Sequence, residues 1–428
     1  MRHVPRTAHR PAGRARSTGQ ARQRAARAYT LVLAATLALM CGASTTAGAQ
    51  TFKVLYRFGP LPDGNSPLGG LLMDAAGNLY GTTRYRGSGS CPGEGQCGAV
   101  FKLDTNGVET VLHNFTGPDG ANPTSNLIMD AKGDLYGTTE FGGDTSNCVG
   151  TGYAGCGVVF KLSGTNETVL YRFNGSADGA FPWAGLTMDA HGALYGTTNE
   201  GGATGGGVAF KLVGKKETVL HSFCSENNCQ DGNYLTSGLI MDAKGNLYGT
   251  AVFGGDVNCD YPDGCGVVFK LTGKKETVLY SFKGSPDGQS PLAGLFMDAS
   301  GNLYGTTTDG GKGTNGGIVF KVGQDGHERV LHSFRGAYGG SDPNTTVVLD
   351  AHGNLYGTTL YGSKGGGGTV FEITADGKEK VLHYFCSEKD CSDGAYPSDL
   401  IMDANGNLYG TAYGGGVNGK GTIFKITP

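Results

Sequence analysis

The ten cysteines that follow residue 50 come as five close pairs: Cys91 and Cys97, Cys148 and Cys156, Cys224 and Cys229, Cys259 and Cys265, and Cys386 and Cys391. An even number of closely spaced cysteines in an exported chain predicts disulfide bonds. Zinc binding is the alternative, but each pair lacks a second pair or histidines at ligand spacing. We therefore predict five disulfides, no metal and no cofactor.

A second set of candidates consists of six aspartates that each precede a glycine and recur along the chain: Asp63, Asp119, Asp178, Asp231, Asp287 and Asp393. Carboxylates around the rim of a central channel could hold a cation. Asp-Gly is also an ordinary turn pair, because aspartate bonds its own backbone and glycine accepts positive φ. The regular recurrence favours the turn, and we expect these aspartates at the channel rim.

Aromatic side chains in glycine-rich loops could bind a ligand by stacking. Trp183, the only tryptophan, occurs in "FPWAGL", at the place of Leu68, Thr124, Thr236, Leu292, Asn344 or Ser398 in other repeats. It could stack on a sugar or pack against neighbouring structure. The other loop aromatics are Tyr85, Phe141, Tyr153, Phe253, Tyr261 and Tyr361. An acidic, aromatic surface predicts a neutral glycan or a protein as partner.

Catalysis would need an acid and a base in different environments. Carboxylates that are not repeated keep a lyase or glycan hydrolase as the alternative function: Glu94, Glu140, Asp144, Glu200, Asp256, Asp309 and Asp399. The histidines of the "VL[HY]" segments alternate with tyrosine and belong to different repeats: His113, His221, His332 and His383. We interpret them as structural. No G-x-S-x-G, calcium-loop or phosphate-loop motif occurs.

The elements that position these residues follow from a repeat. The tyrosine of "LYGT" stands at residues 80, 136, 195, 248, 304, 356 and 409. A period near fifty residues, with alternating apolar segments and glycine-rich turns, predicts blades of a β-propeller. One repeat reads "GLIMD", "NLYGTA", "GVVFKL" and "ETVLYSF", which are four antiparallel strands, numbered first to fourth from the axis outward. The chain is therefore expected to be all-β, with seven four-stranded blades.

The ends of the repeat region predict how the propeller closes. "TFKVLYRF" at residue 51 reads as a fourth strand without its first three, and "GTIFKITP" at the end reads as a third strand without its fourth. We expect the N-terminal strand to complete the seventh blade.

The connections predict two different faces. The "DAxG" and "GKK"-type turns are short, whereas the second-to-third and fourth-to-first connections carry all five cysteine pairs. In an antiparallel blade the two long connections emerge together, and we call this side the stapled face. Because binding residues concentrate on loops held by a rigid frame, we expect the ligand there.

The pattern "GLIMDAKGNLYGTA…FGG…GVVFKLTGKKETVLYSF" resembles the GloVer tandem repeat of exported bacterial choice-of-anchor proteins, over residues 52–428. "MDAAGNLYGT" is more distantly similar to the hairpin of NHL and streptogramin-lyase propellers. The resemblance implies an extracellular or envelope role and no established catalytic residues. Other members carry C-terminal anchors; this chain shows none, so we expect free secretion.

The first 49 residues predict a signal peptide ahead of a propeller at 50–428. Residues 1–28 hold eight arginines and no acidic residue, and the apolar run "YTLVLAATLALMCGA" follows. Lipidation of Cys41 is an alternative that the bulky Met40 disfavours. Removing the leader leaves 34 − 8 = 26 basic and 37 acidic residues, a net charge of −11. We therefore expect no nucleic-acid partner, no transmembrane segment, and a monomer that is secreted or periplasmic.

Overall fold

The computed structural model describes residues 50–59, 63–86, 97–144, 148, 155–256, 258–259, 263–313, 315–336 and 339–428. Gln50–Pro428 form one compact unit. The predicted leader lies outside the described residues, as do Cys91, Glu94, Tyr153 and Tyr261. No helix among the described residues is long and apolar enough to cross a membrane.

The described residues form seven four-stranded antiparallel sheets, which confirms the predicted seven-bladed propeller. The first strands are Leu72–Met73, Ile128–Met129, Thr187–Met188, Ile240–Met241, Phe296–Met297, Val348–Leu349 and Ala395–Met402. The second strands are Leu79–Thr83, Leu135–Thr139, Leu194–Thr198, Leu247–Ala251, Leu303–Thr307, Leu355–Thr359 and Leu408–Gly414.

The third strands are Ala99–Leu103, Val158–Ser163, Val208–Val213, Val267–Thr272, Ile318–Val322, Thr369–Ile373 and Thr422–Thr427. The fourth strands of blades 1 to 6 are Glu109–Asn114, Asn166–Arg172, Lys216–Ser222, Lys275–Ser281, Glu328–Ser333 and Glu379–Tyr384. Two short ribbons pair Gly64–Asn65 with Tyr85–Arg86 and Gly288–Gln289 with Asp309–Gly310. The 3-10 turns are Asn227–Cys229 and Lys389–Cys391.

The N-terminal strand closes the ring. Thr51–Arg57 pairs antiparallel with Thr422–Thr427 and supplies the fourth strand of blade 7, as the sequence predicts. Apolar side chains pack between the blades in seven clusters of described residues, one at each blade boundary. The cluster of Phe58, Leu71 and Ile423 joins blade 7 to blade 1. Closure leaves no long unpaired strand edge.

The repeated "MDAxGNLYGT" segment stabilises the inner hairpin of each blade. In each blade its tyrosine hydroxyl donates a hydrogen bond to the aspartate six residues earlier, at 3.0–3.2 Å. The same aspartate accepts backbone N–H groups of its turn, as in the bonds from Lys244 and Asn246 to Asp242. The glycine lies under a phenylalanine ring: a Cβ on Gly249 would come within 2.7 Å of Phe269 Cζ.

The threonine after that glycine joins adjacent blades. Its hydroxyl donates to a backbone carbonyl just before the first strand of the next blade, from Thr82 to Ser125 in blade 1 through Thr411 to Gly69 in blade 7. The other five bonds run from Thr138, Thr197, Thr250, Thr306 and Thr358 to Ala184, Ser237, Ala293, Thr345 and Ser398. Seven bonds between described residues thus form a closed belt around the axis.

Candidate functional site

The stapled face is formed by connections that bond to each other. In blade 2 the fourth-to-first connection meets the second-to-third connection through the bridge of Ala121 and Phe141. Equivalent bridges join Ala180 to Glu200, Asn233 to Phe253 and Ser341 to Tyr361. Both kinds of long connection therefore lie on one side of the ring.

Four predicted disulfides are formed on this face: Cys148–Cys156, Cys224–Cys229, Cys259–Cys265 and Cys386–Cys391. Cys97 is disulfide-bonded as well. The bonds lie where a second-to-third connection meets the fourth-to-first connection that follows. Cys148 Sγ lies beside Gly175, and Cys386 lies beside Gly365 and Gly367. The disulfides thus stiffen the contacts between connections.

The six Asp-Gly aspartates do not lie at the channel rim, and that predicted position is wrong. Each carboxylate contacts the tyrosine or histidine of the "VL[HY]" segment on an outermost strand. Three tyrosine hydroxyls donate to these carboxylates: Tyr56 to Asp63, Tyr171 to Asp178 and Tyr280 to Asp287, at 2.6–2.9 Å. The Nε2 atoms of His113, His221 and His383 lie 3.0–3.2 Å from Asp119, Asp231 and Asp393.

These contacts explain why aspartate recurs there. Burial by itself would raise the pKa of Asp231, but hydrogen bonds from His221, from the Ser225 side chain and from backbone N–H groups lower it to about 2. The carboxylate holds the end of the fourth strand to the connection that follows. The turn interpretation therefore accounts for these residues.

A glutamate from the next blade approaches each of five such contacts. Burial, helped by the negative charge of Asp63, raises the pKa of Glu109 to about 7. Among the described residues, one group could offer three metal ligands: His113, Asp119 and Glu167, whose ligand atoms lie within 4.8 Å of each other. Three other boundaries have tyrosine in place of the histidine and keep the same contact, so we interpret the group as a polar contact between blades.

A cavity of about 620 Å³ lies on the propeller axis and is lined by residues from all seven blades. Most of its wall comes from residues just before or within each first strand, and Trp183, Tyr234 and Tyr413 contribute aromatic surface. Asp399 is the one charged side chain among the described lining residues. The volume falls within the usual range of small-ligand sites.

One position on the stapled face has an unusual backbone conformation in every blade, and in blade 4 its residue, Tyr234, lines the cavity. In each blade the residue two positions after the Asp-Gly pair, or at its place in blade 6, has positive φ: Ser66, Asn122, Phe181, Tyr234, Ser290, Asp342 and Tyr396, at 56–64°. Its N–H donates to a carbonyl of the preceding blade, as Tyr396 does to Gly367 at 2.7 Å. Such a backbone is costly for bulky residues. The bonds use the backbone only, so the side chain is free to differ from blade to blade.

The predicted aromatic residues do not form one patch. Trp183 is half-buried, lines the cavity and lies 5.0 Å from the Arg84 guanidinium. Tyr361 is exposed and contacts Tyr396, whose ring stacks on Tyr413 at 5.1 Å. Tyr234, Tyr396 and Tyr413 were not among the residues predicted from the sequence.

Three other predicted aromatics lie around the cavity without lining it. Phe141 is buried and packs edge-on against Phe181. Phe253 packs against Tyr234 at 5.6 Å, and Tyr85 lies beside Arg84. They support the rim side chains.

The blade-specific carboxylates are mostly engaged outside the cavity. Glu140 forms an ion pair with Arg84 at 2.9 Å, and burial raises the pKa of Glu140 to about 7 in spite of that cation. Asp309 accepts a hydrogen bond from Thr308, and Asp256 accepts one from the Asn258 backbone. Among the described blade-specific carboxylates, only Asp399 lies on the cavity wall.

Two solved structures share the fold at low sequence identity. One is described as a streptogramin B lyase and is 13% identical, with a TM-score of 0.54 over 88% of this chain and 97% of that chain. The other is the extracellular domain of a protein from B. thetaiotaomicron described as a hybrid two-component system. It is 10% identical, with a TM-score of 0.55, and the match covers 87% of this chain and 39% of that chain. At these identities the likeness shows the fold.

Sequence comparison identifies the family. No curated protein matches the chain. The Gloeobacter/Verrucomicrobia repeat matches residues 43–151, 146–261 and 260–428, so the match extends through the whole propeller. The family resemblance inferred from the repeat pattern is confirmed: the chain belongs to the Gloeobacter/Verrucomicrobia repeat family.

Proposed function

We propose that the chain is an extracellular binding module, and that the axial cavity takes up a glycan through its mouth on the stapled face. The cavity itself carries this proposal: about 620 Å³ lined by every blade, with Trp183, Tyr234 and Tyr413 in its wall. Aromatic faces pack against the C–H faces of sugars, and polar side chains orient the hydroxyls.

The division between repeated and unrepeated residues supports this site. The repeated aspartates, tyrosines and threonines bond to each other and hold the frame. The positive-φ position on the stapled face varies between blades and holds residues as different as Ser66, Phe181 and Asp342. Strained backbone with variable side chains is typical of a binding surface on a rigid frame.

Polar groups suited to hydroxyl ligands accompany the aromatic residues. Thr124, Thr236 and Asn344 line the cavity, and Asn344 Oδ1 has no hydrogen-bond partner within the described part of the chain. A buried polar atom without a partner is costly, and a small rotation of the Asn344 side chain would let a ligand hydroxyl satisfy this acceptor. A concave site of this size favours a glycan over the flat surface of a protein partner.

The titratable side chains that line the cavity favour binding over catalysis. The described cavity lining contains one carboxylate, Asp399, and no histidine. A lyase or glycan hydrolase needs a second group to act as partner acid or base. Release of product from a bound glycan by the purified chain would contradict the binding proposal.

The test is a glycan screen with the full chain, followed by calorimetry on the ligand that binds. Trp183→Ala and Tyr413→Ala should each weaken binding about tenfold, since an aromatic contact contributes about 1 kcal/mol beyond its buried area. Tyr384→Ala is the matched control, because Tyr384 is exposed on an outermost strand. Equal affinity in all three variants would place the ligand elsewhere.

A further inference from the structure

Asp399 occupies its position in the cavity because blade 7 has one residue fewer than blades 1 to 5 between its Asp-Gly pair and the aspartate that follows the first strand. The Ser398 carbonyl accepts a hydrogen bond from the Thr358 hydroxyl. The equivalent acceptor in blade 3 is the Ala184 carbonyl, which accepts from Thr138. Comparison of the repeat sequences puts Ser398 at the place of Trp183, but the hydrogen bonds show that it corresponds to Ala184. Asp399 then falls at the level of Gly185 in blade 3 and Asn126 in blade 2.

The carboxylate is held from two other blades. Asn126 Nδ2 donates to Asp399 Oδ2 at 2.9 Å, and the Thr346 N–H donates to Oδ1 at 2.8 Å. The Asn126 side chain is itself fixed, because its Oδ1 accepts the Gly70 N–H at 2.5 Å. Each carboxylate oxygen keeps acceptor capacity beyond its one bond.

The Asp399 carboxyl has no cationic partner in the cavity. The described lining contains no lysine, arginine or histidine. Burial raises the pKa of Asp399 in spite of the two hydrogen bonds. A buried charge without a cation is unfavourable, so a cationic ligand group would gain both by pairing and by relieving that cost.

There is also room for such a group. At the level of Asp399, four other blades carry glycine: Gly70, Gly185, Gly238 and Gly294, three of which line the cavity. The side chains at this level thus lie on one side of the axis, and bare backbone faces them. A ligand group can reach the carboxylate without displacing a side chain.

We propose that the ligand is an amine-bearing glycan, whose ammonium group pairs with Asp399 while its sugar rings contact the aromatic mouth. This inference rests on the proposed function and names the ligand class of that site. An ammonium fits better than a metal ion, because Ca²⁺ takes six to eight oxygen ligands and one carboxylate supplies two at most. It fits better than a neutral sugar alone, which offers the carboxyl no cationic partner.

The experiment compares two probes on the full chain by calorimetry at pH 7 and low salt. The probes are the glucosamine trisaccharide with free amines and its N-acetylated counterpart. We expect the free amine to bind at least tenfold more tightly. Asp399→Asn should reduce this difference to less than threefold, because it weakens binding of the free amine more than binding of the N-acetylated probe.

Asp309→Asn is the matched control, since Asp309 is a blade-specific carboxylate on the same face but outside the cavity lining. It should preserve the preference for the amine. An equal loss in both variants would mean general attraction to an acidic surface and would overturn the proposal. Loss of amine binding upon removal of divalent metal would overturn it too.

Two further outcomes separate this inference from the proposed function. Equal binding of both probes overturns the amine preference and leaves a glycan site in place. Binding of neither probe also overturns it, and the glycan screen then decides the proposed function. Should Asp399→Asn unfold the protein, the pH dependence of the unmodified chain tests the same point. Affinity for the amine probe alone should fall as acidification protonates Asp399.

Discussion

Replacing Glu109 by glutamine should stabilise the protein at alkaline pH. Glu109 lies on the fourth strand of blade 1, and its Oε1 is buried without a hydrogen-bond partner among the described residues. Burial first, and then the charge of Asp63, raise the pKa of Glu109 from 4.5 to about 7. The folded state therefore holds the proton more tightly than the unfolded chain.

The sign and size of the effect follow from that pKa. Because the folded pKa is raised, the stabilising contribution is complete below pH 4.5 and is lost as the pH rises through about 7. The shift corresponds to about 3 kcal/mol at most, at about 1.4 kcal/mol per pH unit. Solvent screening of this half-exposed side chain reduces the figure to about 1 kcal/mol.

The assay is thermal unfolding of Glu109→Gln and the unmodified chain at pH 4 and pH 8. We expect the variant to unfold about 1–2 °C higher at pH 8 and at the same temperature at pH 4. Replacing all five such glutamates should multiply the gain: Glu109, Glu167, Glu217, Glu276 and Glu328, whose pKa values are each raised to about 6 or 7.

Glu379 provides the matched control. It occupies the equivalent place at a boundary without the Asp-Gly aspartate and lies 3.4 Å from His332 instead. Glu379→Gln should bring no gain at pH 8. A gain for Glu109→Gln that is equal at both pH values would refute the electrostatic reasoning, as would a gain of the same size for Glu379→Gln.

Three further predictions concern the frame. Gly249→Ala should cost about 1–3 kcal/mol of unfolding free energy through overpacking, since its Cβ would lie 2.7 Å from Phe269 Cζ; denaturant unfolding measures this, and an unchanged midpoint would contradict it. Thr250→Val should cost about 1 kcal/mol in the same assay, because it removes the bond to the Ala293 carbonyl. Replacing Cys386 and Cys391 by serine should cost about 2 kcal/mol of unfolding free energy by the loop-entropy relation, and should lower the unfolding temperature. An unchanged unfolding temperature would exclude that contribution.

Most of the fold could be predicted from the sequence because the same pattern of strands and turns occurs seven times. Spacing indicated the blade number, alternation indicated the strands, and the orphan strands at the two ends indicated closure. The faces followed from connection length alone. These inferences need only local pattern and antiparallel geometry.

The location of the Asp-Gly aspartates could not be predicted in the same way. The sequence placed Asp231 in the right connection but could not show which end of that connection faces the axis. The deciding contact, between Asp231 and His221, joins residues ten positions apart across a turn. "VL[HY]" and Asp-Gly recur together, and that joint recurrence was the available signal.

The other aromatic residues around the cavity were missed for a different reason. Tyr396 and Tyr413 are brought together by pairing of the first two strands of blade 7, and no repeat marks them. Asp399 was recognised as blade-specific. Its position inside the cavity follows from the one-residue deletion in blade 7, which is located only by the hydrogen bond from Thr358 to Ser398. Differences between the repeats indicated which residues could belong to a site. The alignment of the blades in the structure was needed to place those residues in the cavity.

The most direct test of a glycan site in the axial cavity is a crystal structure of the chain with a glycan that the screen identifies. The ligand should lie within the ring of seven blades, entered from the stapled face, with a sugar ring against Trp183 or Tyr413. A glycan bound at the outer strands or on the face of the short turns, with the cavity empty of it, would contradict the proposed site.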